Sequence, residues 1–190
     1  MNCSSLTQVQ DKPLQSENIT LELEQSMAQP GTLYFFTGKM AAGKSTLAAS
    51  LEQKHDAALL SEDELLLRLF PDQVSDVQSY VNFSRKIKSA LFPHFRGLLR
   101  KGISIILDFP ANTLEQRAWM RRLIVESGAL HELHYIQCSD ELCKTQLAAR
   151  ALQHPERAAT DTPEVFDAIT KYFQAPAKDE NFNIVYHVRN

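Results

Sequence analysis

The stretch FFTGKMAAGKSTLAASL, residues 35–51, places an apolar run before a turn bracketed by glycines, and a helical pattern follows the turn. Within it, GKMAAGKS at residues 38–45 fits the pattern G-x-x-x-x-G-K-[ST]. The apolar, aromatic-rich run at 32–38 predicts a buried strand, and the spacing of leucines at 44–54 predicts a helix. This pattern binds phosphate groups when it lies between a strand and a helix, so the turn predicts a phosphate-binding loop.

The residue types of this loop explain how it would hold phosphate groups. Its glycines let the backbone turn so that N–H groups point inward, and the helix that follows adds the positive end of its dipole. Lys44 then supplies a charge for the β- and γ-phosphates of a nucleotide, and the Ser45 hydroxyl is placed to bind Mg2+. The residues expected to contact the nucleotide are Gly38, Lys39, Met40, Ala41, Ala42, Gly43, Lys44, Ser45 and Thr46.

Strand and helix patterns alternate along the rest of the chain. Further strands are predicted at residues 57–61, 103–109, 132–138 and 183–188, and helices at 62–70, 77–101, 112–128, 140–151 and 163–173. Pro93 is expected to bend or interrupt the helix at 77–101. Asn112 and Glu115 predict a capping box for the next helix, which Gly128 ends. The alternation predicts an α/β fold of three layers, in which a mainly parallel five-stranded sheet carries helices on both faces.

Composition limits the classes of protein to which the chain can belong. With 190 residues and 44% hydrophobic content, we expect one domain at residues 31–190, preceded by a polar tail at residues 1–30. A net charge of -3 gives no electrostatic footprint for bulk binding to nucleic acid or to anionic membranes. The three cysteines show no spacing typical of a disulfide framework or a zinc site, and no signal peptide or membrane span is recognisable. These features predict a cytoplasmic protein.

Two acidic residues follow predicted strands and are candidates for the chemistry. Asp108 ends the strand at 103–109, at the sheet edge where the phosphate loop must lie, so it is a candidate ligand for Mg2+ or its water. Asp63 follows the strand at 57–61 and could take the proton of an acceptor hydroxyl that attacks the γ-phosphate. Glu62 and Glu64 compete for this role. Alternatively, Ser61 could simply be the N-cap of a helix whose favoured first turn contains the three acidic residues.

Arginines are the next candidates, because phosphoryl transfer needs positive charge around the transferred group. Arg150 and Arg157 flank a polar stretch between two predicted helices, which suits a short mobile lid over a nucleotide. Arg117 and Arg121 are four residues apart, so they share a face of the helix that follows Asp108. For each of these arginines the alternative is an ordinary solvated surface charge.

The chain from about Thr32 to His187 resembles the small P-loop kinases and predicted kinases grouped as AAA family ATPases. This group includes relatives of chloramphenicol phosphotransferase, the zeta toxins and the kinase part of polynucleotide kinase. The resemblance rests on GKMAAGKST, on LSEDELL, on IILDFPANTLEQR, and on LAAR followed by a polar stretch and YFQAPAKDENFNIV. It implies the three-layer P-loop NTPase fold with a short helical lid, and it implies ATP and Mg2+ as cofactors.

The same resemblance implies roles for individual residues. Asp63 corresponds to the acceptor-side base, Arg117 to the arginine of an N-x-x-x-x-R stretch, and Arg150 and Arg157 to lid arginines. This chain has Leu66 where many relatives carry an arginine. If that arginine serves the acceptor phosphate of a nucleic-acid end, a small neutral hydroxyl compound is the better candidate acceptor here.

These residues together predict an ATP-dependent kinase that moves the γ-phosphoryl group of Mg-ATP to a small hydroxylated acceptor. Its catalytic residues would be Lys44, Asp63, Arg117 and Arg150, and its metal ligands Ser45 and Asp108. A nucleotide-dependent switch or accessory ATPase that acts through a protein partner is the first alternative. A nucleic-acid end kinase is the second, although nucleic acid is not favoured as a partner.

Overall fold

A computed structural model describes residues 29–154 and 161–189, and the predicted α/β fold is confirmed there. Five strands form one sheet in which every pair is parallel, in the order β2-β3-β1-β4-β5. The strands are β1 (Thr32–Thr37), β2 (Ala57–Ser61), β3 (Ser104–Pro110), β4 (Leu130–Cys138) and β5 (Ile184–Arg189). All five lie within two residues of the positions that the sequence predicts.

Six α-helices connect these strands within the described residues. They are α1 (Lys44–Lys54), α2 (Glu62–Leu69), α3 (Val77–Arg100), α4 (Leu114–Ser127), α5 (Asp140–Gln153) and α6 (Pro163–Thr170). A short 3-10 helix, Lys178–Glu180, precedes β5. No helix in these parts of the chain is long and apolar enough to cross a membrane. The polar tail predicted at residues 1–30 lies almost entirely outside the described residues.

The sheet buries both of its faces, which explains the unbroken apolar runs of its central strands. Along β1, Leu33 and Phe35 belong to a core shared with α3 and α4, while Tyr34 and Phe36 belong to a second core shared with α1, α5 and α6. Successive residues of a strand point to opposite faces, so one short strand contributes to both cores. The result is the predicted three-layer arrangement.

The structure corrects two local predictions, one of them only in its expectation of an interrupted helix. Pro93 does not interrupt a helix, because it lies inside the continuous α3; a proline removes only one hydrogen bond from the helix ladder, and the rest of this long helix offsets that loss. The capping box of α4 is formed by Thr113 and Gln116, one residue later than expected. The Asn112 side chain is unavailable as a cap because it binds residues of the phosphate loop.

The register of the sheet brings the candidate residues to one edge. Ser61 at the end of β2 pairs with Asp108 on β3, so Glu62 and Asp63 begin α2 beside Asp108. Between β1 and β3 the register shifts after Phe35, which leaves Asp108 and Phe109 as extra residues on β3. Such bulges redirect side chains next to functional sites. Since the phosphate loop follows β1, it lies at this same edge.

Candidate nucleotide-binding site

The phosphate loop adopts a backbone that only its glycines allow at two positions. Gly38 has φ 150° and Gly43 has φ 99°, both in the region that L side chains rarely adopt. A Cβ atom added to Gly38 would lie 2.7 Å from the carbonyl oxygen of Ile136 on β4. The first glycine is therefore required both by its backbone angle and by the close approach of β4.

Lys44 extends back over the loop that precedes it. Its Nζ donates hydrogen bonds to the carbonyl oxygens of Gly38 and Lys39, each at 2.7 Å. The pKa of Lys44 is lowered to about 8, chiefly by desolvation and also by the charge of Arg150, while Asp108 and Asp63 oppose the shift. Lys44 thus lies close to three of the other residues that the sequence predicts for the site.

Ser45 and Asp108 meet at the start of α1. The Ser45 hydroxyl donates a hydrogen bond to the Asp108 carboxylate. Burial raises the pKa of Asp108, partly offset by this hydrogen bond and by the charge of Lys44. Mg2+ in nucleotide sites uses one or two protein oxygens together with waters and phosphate oxygens. A hydroxyl and a carboxylate next to the phosphate loop fit that requirement, and a fuller cluster of acidic, His or Cys ligands is absent from residues 29–154 and 161–189.

The structure distinguishes the three acidic residues that begin α2. Glu62 is fully buried and accepts hydrogen bonds from the Tyr80 hydroxyl at 2.6 Å and the Ser84 hydroxyl at 2.8 Å. Lys88 completes this group with its Nζ 3.0 Å from Glu62. The Glu62 carboxylate therefore serves the packing of α2 on α3 rather than the open edge of the sheet.

Asp63 and Glu64 are the exposed members of the three. Glu64 lies 4.0 Å from Arg68 in an exposed pair, and its backbone N–H is capped by Ser61. Asp63 is close enough to Lys44 and Asp108 for its charge to act on the pKa of both. Of the three carboxylates, Asp63 is the one exposed beside the phosphate loop, while Ser61 also fulfils the helix-cap alternative.

Arg150 reaches the same region from α5. Its guanidinium group binds both carboxylate oxygens of the buried Asp161, at 2.6 and 2.7 Å, and its charge lowers the pKa of Lys44. The structure thus brings Arg150 near the phosphate loop, held by a carboxylate beyond the predicted lid. Arg157, the second predicted lid arginine, lies outside the described residues.

Arg117 is placed differently from the other predicted site residues. It is completely buried, and its Nε and Nη2 donate to the two carboxylate oxygens of Glu180 at 2.6 and 2.9 Å. Its Nη1 donates to the backbone carbonyls of Ala111 at 3.1 Å and Gln174 at 2.8 Å. A guanidinium with all these contacts is oriented into the protein, so its catalytic role stays a prediction that this geometry does not favour.

Several contacts of the phosphate loop were not predicted from the sequence. Lys39 forms an ion pair with Asp140 at the start of α5, which also raises the pKa of Lys39. Arg189 at the end of β5 donates to the carbonyl oxygen of Ala42, at 2.9 Å. Asn112 binds the phosphate loop from the turn after β3. Lys39 was predicted as part of the phosphate loop, and Asn112 lies shortly after a buried strand, but neither position in the sequence indicated these partners.

The site has a glycine-rich loop between a central parallel strand and a helix. A serine at the start of that helix lies next to an aspartate from the neighbouring strand. This combination defines a P-loop NTPase. The surrounding sheet and helices give it the kinase-like form of that fold. A family model described as "AAA domain" matches residues 33–176. Because this match covers most of the chain, the protein belongs to that family.

Solved structures share the fold at low sequence identity. A protein from Chloroflexus aurantiacus, provisionally assigned as a kinase, is 18% identical with a TM-score of 0.65, over 86% of this chain and 87% of its own. The APS kinase CysC of Mycobacterium tuberculosis, solved with AMPPNP and APS, is 20% identical with a TM-score of 0.58, over 85% and 90%. Kti12 of Chaetomium thermophilum, solved with ADP-AlF3, is 16% identical with a TM-score of 0.57, over 82% and 88%.

At these identities the likeness shows the fold alone. No curated protein matches the sequence at a significant level.

Proposed function

We propose that this protein is an ATP- and Mg2+-dependent phosphotransferase that acts on a small hydroxylated acceptor. The observation that carries the proposal is the difference in environment between Glu62 and Asp63. The Glu62 carboxylate is bound within a buried network of hydrogen bonds, whereas Asp63 is exposed beside Lys44 and Asp108. An exposed carboxylate next to a phosphate-binding lysine and a metal ligand is what a kinase needs on its acceptor side.

The nucleotide side of the proposed reaction uses the phosphate loop. Backbone N–H groups of residues 38–46 would surround the phosphates, and Lys44 would leave its two carbonyl partners to bind the β- and γ-phosphates. Ser45 and Asp108 would hold Mg2+, which when bound neutralises negative charge on the phosphates. Since Lys44 already lies against the loop, only a short side-chain movement is required.

On the acceptor side, Asp63 would orient the hydroxyl group and receive its proton as the oxygen attacks the γ-phosphorus. Arg150 would supply further positive charge to the equatorial oxygens of the transferred group. Its pairing with Asp161 holds the guanidinium near Lys44 in advance, so less ordering is needed when the nucleotide binds. Arg117, by contrast, is assigned a positioning role rather than contact with the phosphates.

The known proteins of this fold support nucleotide use. The APS kinase was solved with AMPPNP and APS, and Kti12 was solved with ADP-AlF3. Family membership and the phosphate loop extend nucleotide binding to this chain as part of the proposal.

A nucleotide-dependent switch is the second candidate. The observation that favours it is the ion pair between Lys39 and Asp140, which joins the phosphate loop to the helix that carries Arg150. If Lys39 exchanged Asp140 for the γ-phosphate, α5 would change its position with the nucleotide state. A protein partner could then read that change.

Transfer of labelled γ-phosphate from Mg-ATP into pooled metabolites, antibiotics and oligonucleotides tests the two candidates. The assay compares the wild-type protein with Lys44→Ala, Asp63→Asn and the matched control Glu64→Gln. Label in a small acceptor that is lost in Lys44→Ala and Asp63→Asn but kept in Glu64→Gln would support the kinase. Slow release of free phosphate, independent of every acceptor and of Asp63→Asn, would contradict it and favour the switch.

A further inference from the structure

Residues 174–180, which we call the strap, are connected to the phosphate loop through the turn that follows β3. The strap lies between α6 and β5 and ends in the 3-10 helix. The buried Arg117 holds it at both ends, through the carbonyl oxygen of Gln174 and the carboxylate of Glu180. Glu180 accepts in addition from the Ala177 backbone N–H at 2.8 Å, so its carboxylate also fixes the conformation of the strap.

The strap is bonded to the turn that follows β3. The backbone N–H of Gln174 donates to the carbonyl oxygen of Asn112 at 2.9 Å. The backbone N–H of Leu114 donates to the Gln174 side chain at 2.8 Å. These two bonds run in opposite directions between the same two segments, so the strap and the turn are fixed to each other.

Asn112 connects this turn to the first glycine of the phosphate loop. Its Oδ1 accepts from the backbone N–H of Gly38 at 3.0 Å and from the Thr37 hydroxyl at 3.3 Å. The N–H of Gly38 can only donate, which assigns the side-chain oxygen rather than the nitrogen to this contact. The Asn112 backbone N–H is meanwhile held by Gln116 at 2.8 Å. The residue is thus fixed at its backbone while its side chain fixes the loop.

Resting on the proposed function, we propose that Asn112 is a positioning residue for nucleotide binding, and that binding at the phosphate loop is coupled to the strap. Gly38 cannot change its backbone without breaking the Asn112 bond, and Asn112 is bonded in turn to Gln174. Coupling between two such segments is reciprocal: ordering the loop with a nucleotide also orders the strap. Arg117 acts on the nucleotide through this connection.

Calorimetric titration of the full chain with Mg-ATP, combined with hydrogen exchange of backbone amides, tests this inference. The variants are Asn112→Ala, which removes the acceptor; Asn112→Asp, which keeps an acceptor oxygen; and Arg122→Met, an exposed control on the same helix as Arg117. The nuclear magnetic resonance signal of the Gly38 amide reports the hydrogen bond directly in the nucleotide-free proteins.

We expect Asn112→Ala to bind Mg-ATP about fivefold to tenfold more weakly, the effect of losing one hydrogen bond. The Gly38 amide proton should move upfield in Asn112→Ala, whereas in Asn112→Asp, whose carboxylate is a stronger acceptor, it should not move upfield. Mg-ATP should slow exchange of the Gln174 amide in the wild type and much less in Asn112→Ala. Arg122→Met should match the wild type in every measurement.

Three results would overturn the inference, and they differ in what they say about the function. If the wild type binds Mg-ATP with no change in Gln174 exchange, or if Asn112→Ala binds as tightly as the wild type, the coupling is absent while the proposed function stands. If the wild type fails to bind Mg-ATP at all, the proposed function is wrong and the inference falls with it. Should Asn112→Ala fail to fold, the wild-type exchange data and Asn112→Asp still decide.

Discussion

The depressed pKa of Lys44 predicts that nucleotide affinity falls as the solution becomes alkaline. With a pKa of about 8 in the nucleotide-free protein, about nine-tenths of the Lys44 side chains are charged at pH 7 and about one-tenth at pH 9. Only the charged form attracts phosphate oxygens, so bound nucleotide raises this pKa. The affinity for Mg-ATP should therefore fall about tenfold between these two pH values, or about 1.4 kcal/mol.

Calorimetry of Mg-ATP binding at several pH values from 7 to 9 measures this effect. The terminal phosphate, with a pKa of about 6, is largely ionised across this range, so it adds little to the slope. Lys44→Ala should bind weakly with no such pH dependence. Lys39→Ala is the matched control: the hydrogen bond to Asp140 raises the pKa of Lys39, so this residue stays charged and its loss should leave the slope intact.

A wild-type affinity that stays constant from pH 7 to 9 would refute this reasoning, because Lys44 would then not titrate in the range. An equally steep fall in Lys44→Ala would refute it as well, since another group would be responsible.

Three further predictions concern stability. Gly38→Ala should destabilise the protein and abolish nucleotide binding because its Cβ would meet Ile136. Gly97→Ala, with open space around its Cβ, should be neutral or stabilising. Thermal unfolding and Mg-ATP titration of both variants check this, and equal melting temperatures would contradict it. Glu62→Gln should cost about 3–5 kcal/mol in urea unfolding because it leaves the mostly buried Lys88 without its partner charge, while the exposed Glu64→Gln should change stability by less than about 0.5 kcal/mol; a small loss for Glu62→Gln would contradict this reasoning. Burial, together with His187 and His55, lowers the pKa of His134 from 6.5 to about 4, so the folded state binds fewer protons than the unfolded state in this range. The free energy of unfolding should therefore fall by up to about 3 kcal/mol as the pH drops from 6.5 to 4. His134→Phe should lose this pH dependence and His94→Gln should keep it, and a wild type equally stable at both pH values would argue against it.

The parts of the fold that the sequence predicts are those that depend on local patterns. The phosphate loop, the five strands and the αL glycine after α4 each follow from residues that are neighbours in the chain. The start of α2 and its N-cap were equally readable, since Ser61 and the acidic first turn lie within four residues. Such features need no knowledge of what packs against them.

The site was less predictable where a role depends on distant partners. Arg117 reads in the sequence as one of two basic residues on a helix face, but its acceptors on Gln174 and Glu180 come from the other end of the domain. Likewise, adjacent carboxylates at Glu62 and Asp63 are indistinguishable until α3 covers one of them. The direction of a side chain is decided by tertiary packing, which periodicity does not report.

The placement of β1 in the middle of the sheet has a consequence for how the chain folds. β1 is the first strand among the described residues, yet its neighbours β3 and β4 come much later in the sequence, as the pairs Leu33 with Ile105 and Thr32 with Leu130 show. Pairings between such distant residues are slow to form, because the chain between them must first lose much of its freedom. During synthesis, the strand that leads into the phosphate loop therefore gains its first partner strand only when about half of the domain has been made, and its second partner later still. The ability to bind a nucleotide should then be among the last properties gained on refolding.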